Sequence, residues 1–194
     1  MTKRRRIGRG LNIGALATAL ALSACHAAPE DRANTSAVAN SAALPAGSTE
    51  VRIRTSSGQT HRFVAEMAVD KDAQQHGLMG RETLADDAGM IFPFAYPNMA
   101  SFWMKDTRVP LDLLFIRTDG TIADILQGEP NSLRPLAANE PVTAVLEIRQ
   151  GRAEALGITK GDRIEWGDCA TAAGAGAGRA PVWRADRFCP SSQR

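Results

Sequence analysis

Cysteine, histidine and aromatic residues are all scarce: three Cys, three His, six Phe, three Trp and one Tyr in 194 residues. The histidines stand at positions 26, 61 and 76, and no Cys-x-x-Cys or His-Glu-x-x-His spacing occurs, so a zinc centre has no ligand set. No nucleophile elbow and no phosphate-cradling glycine loop is present, which removes the usual markers of acyl-transfer and nucleotide chemistry. No cofactor or metal is expected. Neither sign of charge dominates: 23 basic and 21 acidic residues give a net +2, too little to point to nucleic acid. No apolar run reaches the ~20 residues that a spanning helix needs.

What is present is unevenly placed. Lys3, Arg4, Arg5, Arg6 and Arg9 precede an Ala/Leu-rich stretch from Leu11 to Leu22, followed by Ser23, Ala24 and Cys25. That is the layout of a secretory signal peptide over residues 1–24. Leu22-Ser23-Ala24-Cys25 resembles a bacterial lipobox, in which the cysteine is lipidated and becomes the first mature residue. The expectation is an exported lipoprotein on the periplasmic face of the envelope, held to membrane lipid through an acylated Cys25, since two or more acyl chains give stable anchoring. Cleavage a few residues later, without lipidation, is one alternative, and a cytosolic basic tail is another. Losing the signal removes five basic residues and leaves 18 against 21 acidic ones, so nucleic acid becomes still less suitable as a partner.

Residues 25–50 are rich in Ala, Ser, Thr and Asn, carry Pro29 and Pro45 and hold no aromatic residue, which reads as a tether. Periodic signal is concentrated from Val51 to Trp166. Val51 to Arg54 and His61 to Met67 alternate apolar and polar residues on either side of a Ser57-Gly58 turn and predict two strands. Asp70 can cap a short helix over Lys71 to His76 that ends near Gly77. Further strands are predicted at Gly89 to Phe94 and Ser101 to Lys105, and a hairpin joins Asp112–Arg117 to Thr121–Gln127 through Asp119-Gly120. Val142 to Arg149 reads as a strand, Arg152 to Leu156 as a short helix closing at Gly157, and Asp162 to Trp166 as a last strand. Many short strands with one or two short helices predict a mainly β domain: a single antiparallel sandwich or barrel, jelly-roll-like, over residues 51–166. Residues 167–194 are a low-complexity tail bracketed by Cys169 and Cys189, which either pair as a disulfide in an oxidising compartment or remain free thiols.

The densest pattern is Gly77-Leu78-Met79-Gly80-Arg81, Gly89-Met90-Ile91-Phe92, Ser101-Phe102-Trp103-Met104-Lys105-Asp106-Thr107 and Pro110-Leu111-Asp112, continued by Val145-Leu146-Glu147 and Leu156 to Asp162. This order of strings resembles the domain of unknown function 192 (DUF192) family. The resemblance implies a compact, mostly β domain, often secreted or lipid-anchored, with no established biochemical activity. The chain departs from the family at Asp106, where Asn is more usual, and lacks the Cys common near Pro130.

Strand alternation sets Phe102 and Met104 on one face and Ser101, Trp103 and Lys105 on the other. An indole beside an ammonium, with Asp106 and Asp112 near in sequence and Arg81 able to neutralise Asp112 or a ligand carboxylate, makes Arg81, Trp103, Lys105, Asp106 and Asp112 the candidate ligand-binding set. The other reading is a buried Trp among internal ion pairs. Glu147, mid-strand, is a candidate partner for Arg81 or Arg149, and His76 is either an acid or base near neutral pH or, as a lone His on a short helix more often is, an exposed or capping residue. No catalytic residue is assigned. Three functions fit: a non-enzymatic envelope module binding a small polar or glycan ligand, an enzyme acting on envelope glycans with Asp106 and Asp112 as its carboxylate pair, and a structural envelope component.

Overall fold

A computed structural model describes residues 44–167 together with two strands further on, Val182–Arg184 and Arg187–Cys189. The signal segment, Cys25, most of the tether and Cys169 lie outside the described residues. The elements in chain order are β1 (Ser48–Arg54), β2 (Thr60–Met67), α1 (Lys71–His76), β3 (Ala88–Asn98), β4 (Ser101–Phe102), β5 (Leu111–Ile116), β6 (Ile122–Gly128), β7 (Leu136–Ala137), β8 (Val142–Arg149), α2 (Arg152–Ala155), β9 (Arg163–Trp166), β10 (Val182–Arg184) and β11 (Arg187–Cys189). The fold is mainly β with two short helices.

Nine strands form one sheet in the order β10-β11-β9-β1-β2-β3-β8-β5-β6, and β4 pairs with β7 in a small ribbon. The sheet is mixed. All its pairs are antiparallel except β2 with β3, where Val64 to Met67 run parallel to Ala88 to Ile91. The expected, mainly antiparallel pairing holds except at this one crossover, which arises because residues 68–87 carry α1 over the sheet and supply the dozen or more residues that a parallel connection needs. The barrel does not close. Only at one end does the sheet curl back on itself, through a single Thr121–Arg163 bridge flanked by Ile122 N–H to Asp162 O at 2.9 Å and Ile164 N–H to Gly120 O at 2.7 Å.

Local chemistry accounts for the elements. Asp70 accepts the Ala73 N–H at 2.7 Å and caps α1, and Gly77 ends it at φ 51°, a conformation that costs glycine nothing. Asp119 Oδ1 accepts both the N–H and the hydroxyl of Thr121, which fixes the Asp-Gly turn between β5 and β6. In β1, Val51 and Ile53 are buried in the core, while on the other face the buried Arg52 pairs with Glu50 and Glu165 and the exposed Arg54 pairs with Glu165. Differences from expectation sit at element ends. β1 starts at Ser48, β3 runs on to Asn98 through a register shift after Pro93, and β4 stops at Phe102 instead of Lys105. Beyond Trp166, β11 sets Phe188 opposite Trp166 and extends the sheet.

Two apolar clusters lie on opposite faces of the sheet. One gathers Val51, Ile53, Phe63, Leu114, Leu146 and Trp166 inside the curl. The other gathers Leu78, Met90, Phe92, Met104, Leu113 and Val145, and is roofed by the segment that carries α1 and β4. β5 and β8 run between them, which is why Leu-Asp-Leu-Leu-Phe-Ile and Val-Thr-Ala-Val-Leu-Glu-Ile are buried without interruption. Tight packing leaves no room at Gly89, where an added Cβ would stand 2.6 Å from the backbone oxygen of Glu147. Gly89→Ala is expected to lower stability by about 1–3 kcal/mol, read as a reduced urea midpoint; an unchanged midpoint would show that β3 and β8 separate more easily than their packing implies.

Candidate functional site

On the roofed face, α1 and the turn after it stand opposite the Asn98–Lys105 segment across an open groove of about 1130 Å³. Its apolar lining is Met79, Phe92, Phe94, Met99, Phe102 and Trp103, and its polar lining includes Asp72, Gln75, His76 and Lys105. Phe92 and Phe102 meet edge to face with centroids 5.1 Å apart, and Phe102 meets Phe115 in the same way at 6.3 Å, so the groove's floor is anchored in the core. Gln74 fixes α1 to the sheet by donating to Ala68 O at 3.1 Å and Pro93 O at 3.0 Å.

Behind this groove lies a small inner cavity of about 40 Å³, bounded by the α1 C-terminus, Phe102, Trp103, Thr107 and Glu147. Glu147 is the unexpected member. Its neighbours across the strands are Met90 on β3 and Leu113 on β5, both buried and apolar. Its side chain is 4% exposed and makes no hydrogen bond or ion pair among the described residues. Burial alone pushes its carboxyl up from 4.5 to about 8, so it is held protonated at neutral pH. The partners expected for it are engaged elsewhere: Arg81 donates to Glu66 at 2.5 Å and Arg149 pairs with Asp86.

The five residues singled out from sequence do not form one site. Trp103, 53% exposed, and Lys105 line the groove. Asp106 lies beside it, accepting from Lys105 Nζ at 2.6 Å, and its φ of 53° identifies it as a turn residue in the left-handed region. Asp, like Asn, tolerates that conformation. Arg81 lines a neighbouring depression with Glu66 and Met90, outside the groove's own lining. Asp112 is remote in role: 2% exposed, it accepts the Ala153 N–H at 3.1 Å and ties β5 to the start of α2. Burial raises its pKa, against the opposing backbone N–H groups of Ala153, Gly151 and Arg152. Asp112 lines none of the three cavities, and its hydrogen bond to Ala153 gives it a place in the fold quite different from the exposed turn of Asp106. Arg81 does not neutralise Asp112. Among the described residues no three His, Cys, Asp or Glu side chains converge as a metal ion would require.

The signal for Glu147 was present in the sequence as the one charge inside a largely apolar, β-branched run ahead of Arg149, on the same face as Val145. A solvated strand would have alternated.

The family model described as DUF192, an uncharacterized ACR, matches residues 52–166. The chain belongs to the DUF192 family. Among the solved structures that this chain resembles are the following two. A protein from Sinorhizobium meliloti, named as a candidate transcription regulator, is 42% identical with a TM-score of 0.60, covering 61% of this chain and 93% of its own. A protein of unknown function from Novosphingobium aromaticivorans is 42% identical with a TM-score of 0.58, covering 60% of this chain and 84% of its own. No curated protein matches. The DUF192 assignment carries no activity with it, so the groove has to be read from its own chemistry.

Two outcomes follow for the site. Between the unfolded and folded pKa values of Glu147 the unfolded chain releases a proton that the native chain keeps, so stability falls as pH rises from about 5 to 8, by at most ~1.4 kcal/mol per pH unit. Glu147→Gln removes that slope, as urea denaturation across this range will show; parallel curves for the two proteins would mean that the carboxyl is already ionised. Asp106→Asn leaves stability unchanged within ~0.5 kcal/mol, whereas Asp106→Ala costs about 1–2 kcal/mol through left-handed strain. Equal losses for both would assign Asp106 a role through its charge.

Proposed function

We propose that this DUF192 domain is a non-enzymatic binding module of the cell envelope, carried on a lipidated Cys25 and offering the α1 groove to a small polar ligand. The observation that carries this reading is the junction of an open, aromatic-lined groove with an unpartnered buried carboxyl at its inner end. A buried polar group without a partner is costly, and ligand sites are where such groups are retained. The aromatic rings give contact area at little entropic loss, and Trp103 at the lip stays exposed for a ligand to cover. With the mature chain mildly acidic and the lipobox at its start, the domain suits a periplasmic position on a membrane.

Native mass spectrometry of the purified protein after incubation with an envelope extract is expected to retain a small-molecule mass. Ser101→Trp, which fills the groove mouth, abolishes retention, and Trp103→Ala weakens it about tenfold, corresponding to ~1.4 kcal/mol for one aromatic wall. An apo mass under all conditions contradicts the binding reading. Mass spectrometry of the mature N-terminus tests the anchor separately: an acylated Cys25 supports it, and an unmodified one overturns it.

A further inference from the structure

We infer that the group seated in the inner cavity is a primary ammonium on a slender aliphatic stem, recognised by the Glu147 carboxylate. This rests on reading the groove as a binding site and specifies the end of the ligand that enters first. Space is the first argument. A cavity of about 40 Å³ holds one small group, comparable with a water or an ammonium, and cannot admit a ring or a trimethylated nitrogen.

Charge is the second. Met90 and Phe92 face Glu147 from β3, Leu113 from β5, Thr107 from the segment after β4, and His76 and Met79 from the end of α1. Of these only His76 is titratable, and no permanent cation among the described residues reaches the carboxyl. At the groove's rim Lys105 is neutralised by Asp106 at 2.6 Å, while Asp72 has no ion-pair partner among the described residues. The uncompensated charge along the path is thus acidic, and an entering cation meets no fixed like charge.

The path is the third argument. The rings of Phe92, Phe102 and Trp103 line both the outer groove and the cavity, together with Gln74, Gln75, His76 and Met79. Aromatic faces attract cations and also accept an alkyl stem, so a chain ending in an ammonium is favoured along its whole length. On arrival the ammonium restores the charge that burial denied Glu147: the carboxyl gives its proton to solvent and the ion pair forms inside a site that excludes water.

The test is an NMR titration of the full chain with n-hexylamine, n-hexanol and hexyltrimethylammonium, at several pH values. The amine is expected to bind at least about tenfold more tightly than the alcohol at pH 8, and the trimethylated compound to leave the inner cavity's resonances unmoved. Below the Glu147 pKa of about 8 the amine's affinity rises by about tenfold per pH unit, because each molecule bound displaces one proton. That slope persists in His76→Asn and vanishes in Glu147→Gln, which binds amine and alcohol alike. Shifts confined to the groove with equal affinity for amine and alcohol overturn the ammonium inference and leave the binding site standing. An amine affinity independent of pH in the native chain also overturns it. No shift with any of the three compounds removes both.

Discussion

Strand β8 is covered on both faces, so every side chain from Val142 to Ile148 is withdrawn from water and only Arg149 emerges. Its place between β3 and β5 makes this unavoidable: one face closes over the curl of the sheet, the other lies under the segment that carries α1 and β4. A two-sided burial of this kind demands apolar residues throughout. Glu147 breaks that demand on the roofed face, where its carboxyl has no hydrogen-bond donor or counter-ion among the described residues. The carboxyl answers by keeping its proton.

The roof follows from the same constraint. Because β2 and β3 run parallel, the connection between them has to cross the sheet, and α1 is the part of it that lands beside Phe92. Its Gln74 hydrogen bonds to Ala68 and Pro93 hold it there without sealing the cleft opposite Ser101–Lys105. What remains open between them is the groove, which shares Phe92, Phe102 and Trp103 with the small cavity that Glu147 lines. Asp162 and Asp112 show the contrasting solution to buried charge: Asp162 accepts the N–H groups of Ser56 and Thr159, and Asp112 that of Ala153, so both serve the fold. Glu147 has no such donor.

Much of the scaffold was legible beforehand because it rests on local rules. The Asp70 cap, the Gly77 stop, the Asp119-Gly120 turn and the alternation of Val51 to Arg54 each involve residues within a few positions of one another. The parallel β2–β3 pair was not legible, since nothing in a short helix between two strands declares which way the chain returns. The site was half legible. Trp103 and Lys105 were found through strand alternation, and alternation did place Phe102 and Met104 inward even though β4 ends at Phe102. Asp106 and Asp112, near in sequence, take different environments, an exposed turn and a buried tie to α2, because Val109 and Leu111 are buried and carry the chain into the sheet between them. Glu147 lies far along the chain from Trp103 and meets it only through the tertiary fold.

The most direct measurement is the carbon-13 chemical shift of the Glu147 carboxyl followed against pH in the intact protein, with Glu147→Gln identifying the resonance. A midpoint near 8 is the predicted result, as burial without a partner requires. A midpoint in the ordinary glutamate range, near ~4.3, would contradict the account: the carboxyl would then be solvated or paired, and the groove would end on an ordinary surface charge.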